Sequence, residues 1–274
     1  MRGGGRAALS YGGGESFNSC RRILNRPEFS ETGLSEKYLS SPAVRSPIPM
    51  SPKTYTIKWH RLSERLLWHH LPLAALSSIA TALCYQWVAS KDVIHNWSMA
   101  TAYPCLALLA ATLVTGPLMV LRGKRRPVSN DLTRDIGIWA GVLSFLHTIF
   151  GLQVHFRGRM WLLFVPDAPM AFPFLRLDLF GMANYTGVIA VLVVLMLLGL
   201  SNDWSLRRLG VSTWKRLQRW NYALFGLVVV HGILYQILEK RAFPFVVLFA
   251  AMGLCVIVLQ VAGRRRVMRA IRGW

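Results

Sequence analysis

Long apolar stretches alternate with short polar segments over most of this chain. Six of the stretches reach the roughly 20 residues that a helix needs to cross the hydrocarbon core of a bilayer. These stretches, called spans one to six, are residues 66–89, 97–121, 136–156, 182–200, 217–238 and 243–263. The pattern predicts an all-α fold in which residues 59–265 form a six-helix transmembrane bundle.

The two ends of the chain differ from this pattern. Residues 1–58 are rich in glycine, serine, proline and arginine and have no sustained apolar period. Such a segment buries too little apolar surface to offset its ordering entropy, so a disordered basic N-terminal extension is predicted. It lacks the apolar core of a signal peptide, and Met50 is a candidate alternative start. Residues 266–274 are predicted to form a short basic cytoplasmic tail.

Charge distinguishes the two sides of the predicted bundle. Of the 32 lysines and arginines, 26 lie in residues 1–65, 122–135, 201–219 and 264–274, on one side of the spans. The positive-inside rule therefore predicts that both termini are cytoplasmic. The net charge of +20 follows from this topology and does not indicate nucleic acid as a partner. Charged residues make up 16% of the chain, against about 25% in soluble domains, which indicates an integral membrane protein in contact with the lipid bilayer.

Two histidines stand inside otherwise apolar spans, His147 in span three and His231 in span five. Ionisable residues at membrane depth are costly and usually face a pathway, a partner or a cofactor. His147 lies 11 residues past Ile136 and His231 lies 12 residues past Arg219, on spans that run in the same direction from the cytoplasmic side. The two histidines are therefore predicted to share one depth near the midplane. Two neutral imidazoles on facing helices can be the axial ligands of a haem iron. The alternative is that each histidine is a structural hydrogen-bonding residue between helices.

The residues around this pair help to distinguish haem ligands from structural hydrogen-bonding residues. Ala140, Ser144 and Gly151 share the helix face of His147, and their small size leaves room for a flat macrocycle or for close helix packing. His155 is rotated about 80° from that face, which favours an interfacial position over a ligand role. The other histidines lie in flanks, loops or helix starts: His60, His69, His70 and His95.

Four groups of residues form a recognisable pattern along the spans. They are 112–118 (TLVTGPL), 134–139 (RDIGIW) leading to His147, 178–187 (DLFGMANYTG), and 209–222 (LGVSTWKRLQRWNY) leading to His231. Together they resemble the ferric-reductase-like transmembrane domain family, over residues 66–263. This family includes the haem-binding membrane subunit of the bacterial periplasmic methionine sulfoxide reductase system and the membrane part of NADPH oxidases.

The resemblance implies a b-type haem held by His147 and His231. Members of the family often have a further histidine 13 residues before the later one, where this chain has Gln218. A glutamine amide is a poor iron ligand, so one haem is the expected number. The resemblance also implies a bacterial inner membrane location. The implied function is an electron-transfer subunit of an oxidoreductase, with no catalytic residue assigned.

The electron donor is expected to be a separate protein or a membrane quinol. The chain has no Gly-rich phosphate loop followed by strand-helix alternation, so a flavoprotein partner or quinol must supply electrons. A flavin or quinone from such a partner could meet the basic residues near the cytoplasmic surface, which are Arg134, Lys215, Arg216 and Arg219. The favoured interpretation of these residues is that they are topology anchors on the cytoplasmic side. The acceptor is expected to be a small molecule or a periplasmic protein, with residues 157–181 as its contact.

The competing hypothesis is a non-redox polytopic membrane protein. It could be a structural or assembly subunit of a larger complex that has lost haem, or a small transporter. Transporters commonly have internal repeats and broken helices with polar midplane residues, and spans one to three do not repeat in spans four to six. A subunit that has lost haem stays open because Gln218 occupies one ligand position of the family.

Overall fold

The computed structural model describes residues 63–88, 90–123, 131–166 and 175–272, and these residues are helical with short connections and no strands. Six of the helices are long and apolar enough to cross a membrane. The predicted all-α bundle of six transmembrane helices is therefore confirmed, and the protein is an integral membrane protein. The predicted disordered extension, residues 1–58, lies outside the described residues.

Seven helices make up the described fold. They are α1 (Ser63–Val88), α2 (Val93–Leu121), α3 (Asp131–Val154), α4 (Leu179–Leu200), α5 (Asp203–Gln218), α6 (Trp220–Leu238) and α7 (Phe243–Arg272). Spans one to four correspond to α1–α4, and spans five and six to α6 and α7. Several helices run past the predicted spans because polar residues beyond an apolar core continue the helix. The predicted tail, residues 266–274, is accordingly helical as far as Arg272.

Helix starts are set by polar side chains that satisfy free backbone N–H groups. Asp92 caps α2 by accepting hydrogen bonds from Ile94 N at 2.9 Å and His95 N at 3.3 Å. Asp178 caps α4 by accepting from Gly181 N at 2.7 Å. These caps fix the helix ends that lie opposite the basic side of the bundle, the side that carries residues 122–123, 201–219 and the end of α7.

The helix α5 is a short basic helix on that basic side. It bends at Gly210, whose φ of 72° is in the left-handed region that glycine adopts without strain. Trp214 of this helix is buried, with 5% of its surface exposed. Its indole Nε1 donates to Leu200 O at 2.9 Å, so this tryptophan packs α5 against the end of α4.

The bundle core consists of two packed helix pairs. α2 packs against α3, and α4 packs against α6, while α1 and α7 flank α2 on the outside. Close approach is possible where a glycine meets a large side chain, as where Gly141 of α3 faces Leu198 of α4. Among the described helices, α3 and α6 make no backbone contact with each other. A space therefore remains between the two helices that carry His147 and His231.

A buried carboxylate ties α1 to α3. Asp135 is fully buried and accepts from Arg65 Nη2 at 2.5 Å, while its other oxygen lies 2.7 Å from His69 Nδ1. His70 Nε2 is 3.4 Å from the same carboxylate. His69 and His70 lie at the start of span one, and the sequence pattern does not indicate Asp135 as their partner. The cluster compensates the charge of a carboxylate that would otherwise be costly to bury.

We expect Asp135→Asn to lower the free energy of unfolding by about 3 kcal/mol, because it leaves Arg65 without its buried counter-charge. The matched control is Asp131→Asn, whose carboxylate is 53% exposed and should contribute at most about 1 kcal/mol. Thermal unfolding of both purified variants in detergent measures the difference. Equal effects of the two substitutions would show that the Asp135 cluster does not hold α1.

Candidate functional site

The two histidines singled out from the sequence lie close together in the bundle. The ring centroids of His147 and His231 are 6.3 Å apart, and the ring planes are at 85° to each other. Each histidine lies seven residues before the end of its helix, at Val154 in α3 and Leu238 in α6, or about 10 Å along the axis. The two residues thus occupy equal depths relative to these helix ends, which are on the side opposite the basic side.

Backbone carbonyls of neighbouring helices hold both rings. His147 Nδ1 is 2.9 Å from Ser98 O of α2, and His231 Nδ1 is 2.8 Å from Ala183 O of α4. A carbonyl oxygen only accepts, so each Nδ1 carries the hydrogen and each Nε2 keeps a free lone pair. Neither Nε2 has a hydrogen bond within the described part of the chain. Metal-binding histidines commonly have this arrangement, in which one ring nitrogen donates to a carbonyl and the other is free to bind.

Gly187 of α4 leaves the room that the His231 ring occupies. A Cβ added at this position would be 3.0 Å from His231 Cε1 and 3.1 Å from its Nδ1. The ring would then have to move by a few tenths of an ångström, away from its bond to Ala183 O. The glycine is therefore part of the local structure that positions the ring.

The space between the helix pairs is a cavity of about 740 Å³ bounded by α2, α3, α4 and α6. His147 and His231 line it, and so do Ala140, Ser144 and Gly151, the small residues that share a face with His147. Pockets for small molecules and cofactors have volumes of about 300–1,000 Å³ and mostly apolar walls. The cavity is therefore large enough for a cofactor beside the histidine pair.

The basic-side end of this cavity is lined by three of the four predicted basic residues, Arg134, Lys215 and Arg219. Arg134 Nη1 donates to Asp203 Oδ1 at 2.6 Å, so its charge is compensated within the protein. Gln218 also lines this end, and its buried Nε2 has no hydrogen-bond partner among the described residues. Gln218 thus presents an unpaired amide N–H group at this end of the cavity.

The opposite end of the cavity contains ionisable residues that the sequence analysis did not assign to a site. His155 Nε2 is 3.2 Å from Glu239 Oε1, and Arg241 Nη1 is 3.1 Å from His95 Nε2. His155 also lines the cavity. The sequence contained one signal for this group of ionisable residues. Three consecutive charged residues, 239–241, directly follow span five.

Part of the connection between α3 and α4 closes this opposite end. Leu162 and Leu163 are buried, and Leu163 O accepts from Asn184 Nδ2 at 3.1 Å. Asn184 Oδ1 in turn accepts from Tyr235 OH at 2.7 Å, and the Tyr235 ring centroid is 4.9 Å from that of His231. The described residues of the connection thus pack against α3 and α4.

The donor set fits a macrocycle better than a bare metal ion. Protein sites for a bare transition metal usually supply at least three side-chain ligands. In the described ranges there is no group of three or more histidine, cysteine, aspartate or glutamate residues that could hold a metal ion. Two imidazoles suffice for a haem iron, because the porphyrin supplies the other four ligands.

We expect Gly187→Ala to lower the free energy of unfolding by about 1 kcal/mol, because the added methyl group displaces the His231 ring. Gly199→Ala is the matched control, since it lies on the same helix and its added Cβ meets no atom within 4 Å. That control should be neutral or slightly stabilising, as alanine favours a helix over glycine. Differential scanning fluorimetry of the two variants measures the effect, and equal melting temperatures would contradict it.

Burial lowers the pKa of His155 from its ordinary value of 6.5, although Glu239 partly opposes the shift. Below about pH 6.5 the unfolded chain takes up a proton at this position before the folded protein does, so stability falls as the pH decreases. The difference in Tm between the wild type and His155→Gln should therefore move in favour of the variant between about pH 7.5 and 5.5. A difference that is independent of pH would contradict this expectation.

Comparison of the chain with known protein families, curated proteins and solved structures finds no match. The assignment of a function to this bundle therefore depends on the geometry of the histidine pair and its cavity.

Proposed function

We propose that this protein is an integral membrane b-type cytochrome that passes electrons through one haem held by His147 and His231. In this proposal it is the electron-transfer subunit of an oxidoreductase. The observation that carries the proposal is the state of the two imidazoles. Both donate Nδ1–H to a backbone carbonyl, and both keep Nε2 free beside one cavity. A purely structural hydrogen-bonding role would not require two free nitrogens at one depth.

The distance between the rings supports the proposal. The centroids of the His147 and His231 rings are 6.3 Å apart, and both rings line one cavity. One bound group could therefore be held by both imidazoles.

A bound haem would supply a reversible one-electron redox centre. The protein's own residues would orient it and set its surroundings. The bonds to Ser98 O and Ala183 O fix the ring orientations and make each Nε2 a more basic ligand. The mostly apolar walls of the cavity would limit water around the redox centre and tune its potential.

One haem and separate redox partners complete the proposal. Gln218 stands where the resembling family often has another histidine, and its amide is a poor ligand for iron. Electrons would come from a flavoprotein or a quinol at the basic side, which would be cytoplasmic by the positive-inside rule. They would leave on the other side to a small molecule or a periplasmic protein, in a bacterial inner membrane.

The competing function is a structural or assembly subunit without haem, and Gln218 is the observation that favours it. The test is an absorption spectrum of the full-length protein, expressed with a haem precursor and purified in detergent. We expect a reducible b-type spectrum with one haem per chain. His147→Ala and His231→Ala should each lower the bound haem by more than about tenfold, since even mutations of residues that orient a metal ligand lower affinity 10–100-fold.

His155→Ala is the matched control, because this histidine lines the same cavity but lies outside the pair. It should retain the haem and its spectrum. Folded wild-type protein that stays colourless would overturn the proposal in favour of the haem-free subunit. Equal loss of haem in all three variants would show that the pair has no special role.

A further inference from the structure

Arg241 lies three residues beyond the end of α6, and its side chain lines the same cavity as the histidine pair. The chain turns back there, because Arg241 N donates to Gln236 O at 3.3 Å. Lys240 adopts a φ of 45° in this turn, a left-handed conformation that is uncommon for a residue other than glycine. The turn therefore holds Arg241 at the cavity end at some conformational cost.

The guanidinium of Arg241 has a neutral partner. Its Nη1 donates to His95 Nε2 at 3.1 Å, so this imidazole nitrogen is the acceptor and His95 is uncharged. The neighbouring carboxylate, Glu239, lies beside His155 Nε2 instead. In the part of the chain that the structure describes, Arg241 forms no ion pair with a carboxylate. Burial also lowers the pKa of Arg241 from its ordinary value, as expected for a cation that has lost part of its hydration.

Glu239 is close enough to raise the pKa of Arg241 against the effect of burial, but its carboxylate is engaged by His155 at 3.2 Å. A half-buried cation whose neighbouring carboxylate is engaged elsewhere is stabilised by a ligand that supplies further negative charge. The Arg241 side chain borders the cavity, where such a ligand could lie. We propose that Arg241, with neutral His95 beside it, binds a carboxylate that projects into this end of the cavity. Arginine suits this role because its planar guanidinium matches the two oxygens of a carboxylate.

The carboxylate is assigned to the macrocycle of the proposed haem, so this inference rests on the proposed function. A b-type haem carries two propionate groups on one edge of the ring. Arg241 lies three residues beyond the end of α6, and this helix end is about 10 Å along the axis from His231. Arg219, at the other end of the cavity, precedes His231 by 12 residues or about 18 Å, and Arg134 is already paired with Asp203. The propionate edge should therefore face Arg241.

The test compares haem b with its dimethyl ester, in which both propionates are neutral. Full-length apoprotein in lipid nanodiscs is titrated with each compound, and the dissociation constants are taken from the absorption spectra. We expect the wild type to bind haem b about tenfold more tightly than the ester, as is usual for one charge-assisted hydrogen-bonded pair. Arg241→Gln should bind the two compounds equally, and Arg241→Lys should keep part of the preference.

Arg219→Gln is the matched control, an arginine of the same cavity at its other end, and it should keep the wild-type preference. The difference in solubility between the two compounds is the same for every variant, so it cancels when the preferences of two variants are compared. Wild-type protein that binds both compounds equally would overturn the Arg241 site and leave the proposed function standing. A preference that persists in Arg241→Gln, or that disappears in Arg219→Gln instead, would also overturn it. Wild-type protein that binds neither compound would overturn both proposals.

Discussion

The fold around the candidate site depends on two hydrogen bonds, from the imidazoles of His147 and His231 to carbonyls of neighbouring helices. An imidazole N–H in an apolar bundle must find an acceptor, because an unpaired polar group there costs several kcal/mol, about 2–7 by transfer measurements. A helical carbonyl can serve, since its oxygen has a second lone pair beyond the one used within the helix. Ser98 O and Ala183 O provide this acceptor.

The two bonds have the same construction on both sides of the cavity. Ser98 lies near the start of α2 and Ala183 near the start of α4, so each carbonyl is about one turn into its helix. Ala183 O also accepts from Thr186 Oγ1 at 2.7 Å, whereas the Thr101 hydroxyl is 2.8 Å from Trp97 O and 3.0 Å from Ser98 O. Each antiparallel pair, α2 with α3 and α4 with α6, thereby orients one imidazole. Because α3 and α6 do not pack together, the two oriented rings face a cavity and not a closed interface.

The parts of this arrangement that depend on residue type could be predicted, and the parts that depend on backbone could not. Apolar length predicted the six spans, and counting residues along parallel spans predicted that His147 and His231 share one depth. Every residue has the same carbonyl group, so no sequence pattern indicates Ser98 or Ala183 as partners. The ion pair of Arg65 and Asp135 joins residues 70 positions apart, which local patterns do not reveal. The burial of Trp214 was also not indicated by the sequence, because tryptophan is equally common at membrane interfaces.

Charge in the bundle lies at its two ends, and the region around the histidine pair is neutral. On the basic side, the carboxylates of Asp135 and Asp203 compensate neighbouring arginines. At the other end, Arg241 is the nearer arginine to the pair. Salt screens the exposed Arg219, whereas partial burial protects Arg241. Glu239 is close enough to Arg241 to offset part of its charge. The engagement of Glu239 by His155 therefore determines how much of the Arg241 charge acts on whatever the two imidazoles bind.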